Sequence, residues 1–111
     1  MSSSLSWADV PIPDGEPMVS MARLRVEHDG AFWSLVRFPA GWARPVTGHY
    51  QHEEQFWILE GELEMNGRRY PAGEGETVPS GGERANTATP KGALAVVRFG
   101  GTPKWERTQD E

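Results

Sequence analysis

Cysteine is missing from all 111 residues. That excludes a disulfide framework, a thiolate zinc site and a cysteine nucleophile. No stretch approaches the roughly 20 apolar residues that a membrane span needs. Residues 1–15, MSSSLSWADVPIPDG, have neither the basic start nor the apolar block of a signal peptide. Together these absences predict a soluble, cytoplasmic protein with no membrane partner. Basic charge is also scarce, since 11 Lys and Arg stand against 16 Asp and Glu for a net charge of −5. An acidic surface repels phosphates, which argues against nucleic acid as a partner. A helical period of apolar residues never lasts three turns. The chain also has no phosphate-cradling glycine loop, no Gly-x-Ser-x-Gly elbow and no two-histidine helix motif.

Turn formers and strand formers are abundant. Thirteen glycines and nine prolines punctuate short runs rich in aromatic and β-branched residues. That spacing predicts an all-β protein, an antiparallel sandwich or small barrel. The length suits one domain, and 37% hydrophobic residues can fill its core. Three segments are expected: an N-terminal arm over 1–18, a barrel over 19–99 and a polar tail over 100–111. The arm is rich in Ser, Pro, Asp and Gly, and only Leu5, Trp7 and Ile12 can dock it. The tail is polar apart from Trp105.

Period-two alternation sorts the strand residues into faces. In MARLRVE, Met21, Arg23, Arg25 and Glu27 fall on one face and Ala22, Leu24 and Val26 on the other. In AFWSLVRF, Phe32, Val36 and Phe38 oppose Trp33, Leu35 and Arg37. Asn66-Gly67 is the strongest hairpin signal in the chain. The runs 56–59 and 94–97 are apolar on both faces. One face fills the barrel, and the other needs a cover, either a second copy in a homodimer or the N-terminal arm.

Two spaced patterns stand out. The first is Gly41, five residues, Thr47-x-His49, four residues, Glu54, six residues, Gly61. The second is Gly73, five residues, Pro79-x-Gly81, two residues, Arg84, three residues, Ala88. In spacing, this framework resembles the two motifs of the cupins, and the likeness covers about residues 19–99. The resemblance implies a cupin, jelly-roll-like β-barrel with its site at the barrel mouth. In that family a divalent transition metal is held by two His and a Glu of the first motif and a His of the second. Here Thr47 stands at the first His position and Arg84 at the last, leaving His49 and Glu54 in register. His52 falls where many cupins carry an extra His before a Glu-Glu pair.

A guanidinium has no lone pair to give a metal, and its fixed charge repels a cation. Two readings of the site follow. A metal set of His49, Glu54 and His52 requires the 48–53 loop to fold back on itself. Alternatively there is no metal, and Arg84 takes its electrostatic place by pairing with Glu54. On the second reading His49 and Glu54 are the acid–base candidates, while Arg84, Tyr50, Trp42 and Thr47 are candidate substrate contacts. The plainer alternatives are that His49 is a strand-end polar residue, His52 a surface-loop residue, Arg84 a surface-loop arginine and Trp42 part of the wall. The expected function is binding of a small molecule, with an isomerase, cyclase or lyase type of reaction on an organic acid, sugar or polyketide-like compound. A metal-dependent dioxygenase or hydrolase and a non-catalytic binding or accessory dimer are the alternatives.

Overall fold

A computed structural model describes residues 5–108. Residues 1–4 of the expected arm and 109–111 of the expected tail lie outside the described residues. The described chain is all-β, with eleven strands: β1 (Trp7–Val10), β2 (Val19–Val26), β3 (Phe32–Phe38), β4 (Trp42–Arg44), β5 (Gly48–Tyr50), β6 (Glu54–Met65), β7 (Arg68–Pro71), β8 (Gly75–Val78), β9 (Thr87–Thr89), β10 (Ala93–Phe99) and β11 (Trp105–Arg107). Every pairing is antiparallel. The main sheet runs β1-β2-β3-β10-β6-β9-β4, with β7 and β8 also on β6, and β11 pairs with β5. No helix of the described residues is long and apolar enough to cross a membrane.

The curl of this sheet depends on β6. Its first half pairs with β10 and β8, and its second half with β7 and β9. The change occurs at Gly61, whose φ is 75°. A Cβ there would sit 2.1 Å from the Gly92 carbonyl oxygen. Only glycine allows both the left-handed backbone and that close approach. Asn66 and Gly67 then close the β6–β7 hairpin, with φ of 57° and 77°. Both values are left-handed, as a tight two-residue hairpin turn requires.

The inner face is apolar and closely filled. Phe56 and Ile58 of β6 are buried with Ala95, Val97 and Phe99 of β10, Val36 of β3, and Leu63, Met65 and Tyr70. The arm is part of the architecture. β1 pairs with the edge of β2. The chain then turns so that Glu16 and Ala43 exchange backbone hydrogen bonds of 3.1 and 3.0 Å. The arm thus spans from the β2 edge to β4, the two ends of the sheet. Ile12 packs on the core as it crosses.

One alternation departs from expectation. A register shift between Arg23 and Arg25 puts a bulge at Leu24. Met21 and Arg23 stay on the face of Val36 and Ser34, but Arg25 moves opposite Trp33. A bulge adds one residue to one strand and so reverses the faces beyond it.

The outer face carries an apolar row across five strands. Trp7, Ala22, Leu35, Val96 and Trp57 are successive cross-strand partners. Trp57 is 50% exposed and Leu59 beside it 44%. Charged rows flank it, with Asp9, Arg37 and Glu60 on one side and Arg25 and Arg98 on the other. The arm therefore extends this apolar face at its edge and does not cover Trp57.

The tail clasps the arm. Asp14 accepts hydrogen bonds from Arg107 at 2.6 and 3.2 Å and from Trp105 Nε1 at 2.8 Å. The Arg107 guanidinium, and after it the Trp105 indole, hold the Asp14 carboxyl below the usual carboxylate range. A depressed native pKa contributes stability above the unfolded value, and this contribution is lost as pH falls through the native one. The wild-type urea midpoint is therefore expected to fall more steeply than that of Asp14→Asn between about pH 4 and pH 2. Parallel curves in that window would show that the clasp does not contribute.

Candidate functional site

The barrel contains a partly open cavity of about 80 Å³ lined by both halves of the curled sheet. Its wall is mostly apolar, with Met21, Val36, Phe38, Phe56, Leu63, Met65, Val97 and Phe99. Six residues with polar groups reach it: Trp42, Arg44, Tyr50, Glu54, Arg84 and Thr87, and the Trp42 indole N–H is buried without an acceptor.

Glu54 begins β6, and Arg84 lies 30 residues downstream in the loop before β9. The backbone fixes the arginine from two sides. Gly48 and Arg84 form an isolated bridge, with hydrogen bonds of 3.1 and 2.8 Å. From the other side the β6–β7 hairpin tip clips the loop. Asn66 donates from its side chain to the Glu83 carbonyl at 3.0 Å and accepts from Ala85 N–H at 2.7 Å. Its own N–H donates to the Ala85 carbonyl at 2.8 Å.

Held this way, the Arg84 side chain is 2% exposed and that of Glu54 16%. Arg84 donates from Nη2 and Nε to Glu54 Oε1, at 2.7 and 3.1 Å. Its Nη1 donates to the Gly82 carbonyl at 2.9 Å. Its guanidinium carbon lies 4.9 Å from the centre of the Tyr50 ring. Arg84 is thus neutralised by Glu54 and hydrogen-bonded on all three nitrogens. Glu54 keeps its second oxygen free of hydrogen bonds among the described residues.

A second buried arginine, Arg44 at the end of β4, is 4% exposed. Its Nη2 donates to the Tyr50 hydroxyl oxygen at 2.8 Å. Its guanidinium carbon lies 3.9 Å from the Trp105 ring centre and 5.4 Å from that of Tyr50. Trp105 reaches this position because Gly48 on β5 has no side chain, and a Cβ there would come within 2.3 Å of the indole. Burial pushes the Tyr50 hydroxyl above the ordinary tyrosine range, against the lowering effect of the two arginines. It is therefore a protonated phenol at neutral pH.

The histidines lie elsewhere. His49 alternates with Tyr50 on β5 and so faces away from the cavity, with its Nε2 3.0 Å from Glu106 Oε1 at the surface. His52 is exposed, its ring packed where a Gly101 Cβ would stand. Thr47 is outside the cavity wall, its carbonyl accepting from Thr108 N–H at 2.8 Å. The structure therefore does not assemble the metal set His49, Glu54 and His52. No group of three His, Asp or Glu able to hold a metal ion occurs among the described residues. The period-two reversal between His49 and Tyr50 is the physical reason. These residues do not fit a metal site: the cavity holds one carboxylate, and one of its oxygens is taken by a guanidinium.

Of the expected substrate contacts, Tyr50, Trp42 and Arg84 line the cavity together with Glu54. Arg44 and Thr87 were not among the expected site residues. Arg44 was legible, because Trp42-Ala43-Arg44 between Gly41 and Pro45 is one short strand and period two puts Arg44 on the face of Trp42.

No family model matches the chain, and no curated protein matches it. Solved structures do. An RmlC-like cupin protein from Ralstonia eutropha superposes at a TM-score of 0.73 with 12% identity, over 96% of this chain and 68% of that one. An acetylacetone dioxygenase from Acinetobacter johnsonii gives 0.73 with 14% identity, over 89% and 72%. A predicted oxalate decarboxylase from Thermotoga maritima gives 0.70 with 21% identity, over 89% and 95%. At these identities the likeness is one of fold, and the motif glycines at 41, 61, 73 and 81, all with positive φ, agree with it. The chain is a cupin-fold domain.

Proposed function

We propose that this domain binds a small organic molecule inside the barrel and acts on it by proton transfer at Glu54. An isomerase, cyclase or lyase type of reaction on an organic acid, sugar or polyketide-like compound suits such a site. The observation that carries this reading is the Glu54–Arg84 pair. It sets a carboxylate in a mostly apolar wall, orients it through one oxygen and leaves the other available to a proton. In this reading Arg84 is a positioning residue, Tyr50 a hydrogen-bonding wall and Trp42 an apolar wall. His49 and Thr47, outside the cavity, carry no step. Two structural neighbours, an acetylacetone dioxygenase and a predicted oxalate decarboxylase, are compatible with small-molecule chemistry in this fold.

The metal-free reading is checked by elemental analysis of protein purified without chelator. The expected result is far less than one transition-metal ion per chain. A stoichiometric metal that disappears in Glu54→Gln would overturn it. The chemistry is checked by NMR in D2O with a panel of small oxo and hydroxy acids. Exchange of a carbon-bound hydrogen is expected for at least one compound, falling by about 10²-fold or more in Glu54→Gln. Binding without exchange anywhere in the panel favours a non-catalytic binder, for which the single carboxylate in the wall is the supporting observation.

The pair also bears on stability. Arg84→Met leaves a carboxylate facing an apolar cavity and is expected to cost about 3 kcal/mol. The double variant with Glu54→Met removes both charges and is expected to recover most of that loss. Urea unfolding of the four-protein cycle measures it, and additive effects would show that the two side chains do not act as a unit.

A homodimer through the outer apolar row is part of the proposal. The apolar centre with a rim of both charge signs suits a second copy of the same face. Light scattering is expected to give a dimer that Trp57→Glu converts to monomer. A wild-type monomer at micromolar concentration would sink it.

A further inference from the structure

We propose that the cavity recognises a compact organic monocarboxylate, with Arg44 as its receptor. The inference rests on the reading of the cavity as a ligand site and adds the substrate class.

Charge is the first argument. Three ionised side chains line the cavity: Arg44, Arg84 and Glu54. Arg84 and Glu54 cancel. Arg44 has no salt-bridge partner among the described residues. The nearby Asp14 carboxylate is taken by Arg107 and Trp105. The lining therefore carries one uncompensated positive charge inside a mostly apolar wall, where an unmatched ion is costly.

Hydrogen bonding points the same way. Arg44 Nε is buried without an acceptor, and so is the Thr87 hydroxyl. The two residues are direct cross-strand partners on β4 and β9. The Tyr50 hydroxyl accepts from Arg44, and its own hydrogen has no acceptor among the described residues. The aromatic faces around Arg44 stabilise its charge but give no acceptor in the guanidinium plane. A carboxylate supplies what is missing: one negative charge and two oxygens for the Arg44, Thr87 and Tyr50 donors.

The space beside the arginines favours a short molecule, since a longer one would have to extend into an adjoining hollow of about 280 Å³. At roughly 10–15 Å³ for each water-sized site, a cavity of about 80 Å³ holds on the order of six non-hydrogen atoms. The apolar wall opposite the arginines suits a short carbon chain. A dicarboxylate would bring a second charge with no cation to meet it.

Calorimetric titration with sodium propionate and with its neutral analogue propionamide, at constant ionic strength in chloride, tests the proposal. Saturable one-to-one binding of propionate is expected, with propionamide at least about tenfold weaker. Thr87→Val is expected to weaken propionate several-fold, and Arg44→Lys, which keeps the charge but loses Nε–H, by about tenfold. Near-UV circular dichroism checks that each variant is folded. Arg69→Met, on the exposed side of β7 and outside the cavity lining, is expected to leave binding unchanged. Equal affinity for propionate and propionamide, or propionate binding indifferent to both Arg44→Lys and Thr87→Val, would overturn the carboxylate assignment. So would no binding of either probe, which shows that water alone satisfies Arg44. None of these results touches the metal content or proton exchange that decide the underlying reading.

Discussion

A guanidinium that is 98% covered cannot shed its proton, so its charge must be met where it stands. For Arg84 that demand falls on Glu54, and much of the local architecture serves the meeting. The bridge to Gly48 and the three bonds between Asn66 and the neighbours Glu83 and Ala85 fix the arginine's backbone from opposite sides. The hairpin turn that supplies Asn66 depends on two left-handed residues. The bend at Gly61 turns the far end of β6 so that this hairpin reaches the 83–85 loop at all. A single ion pair thereby ties the middle of the chain to its last third.

The two buried arginines behave differently for reasons of geometry. Arg84 finds a carboxylate and a carbonyl in the plane of its donors. Arg44 finds aromatic faces above it and a phenol at one edge. Cation–π contact of this kind is worth about 2 kcal/mol or more when desolvated, but it supplies neither a countercharge nor an acceptor in the guanidinium plane. The barrel is therefore electrostatically complete at one arginine and incomplete at the other. That asymmetry lies inside the cavity, where the first arginine orients the Glu54 carboxylate and the second leaves donors unmatched.

The fold was legible because its signals are local. Asn-Gly at a hairpin, glycines at left-handed turns and period-two alternation each act over a few residues. The spacing of Gly41, Glu54, Gly61 and Arg84 carried the longer-range information, and it brought Glu54 and Arg84 to one wall. The limits were also local. Period two applied to Gly48-His49-Tyr50 puts His49 opposite Tyr50, yet both were candidates for one site. The Leu24 bulge reversed the faces of β2 with no glycine to mark it. Arg44 went unnoticed because an arginine in a short strand reads as surface, and its burial depends on Trp105, 61 positions away. Contacts between the ends of a chain, such as Asp14 with Trp105 and Arg107, leave no trace in any short window.

Those same end-to-end contacts border a neighbouring hollow. A second hollow of about 280 Å³ lies against the cavity and shares Ile12, Met21, Val36, Tyr50, Val97 and Phe99 with it. Its other walls include Val10, Pro11 and Pro13 of the arm and Pro103 of the tail. The arm is anchored at β1 and at Glu16, and between them Asp14 is held by Arg107 and Trp105. Three prolines in the surrounding segments restrict how far the backbone there can adjust. Trp105 joins the two systems, because its indole N–H binds Asp14 while its face stacks on Arg44. Any displacement of the arm that frees Asp14 removes one restraint on the ring covering the unmatched guanidinium. The arm segment beside the second hollow and the ring over Arg44 are thus held by one side chain, that of Asp14.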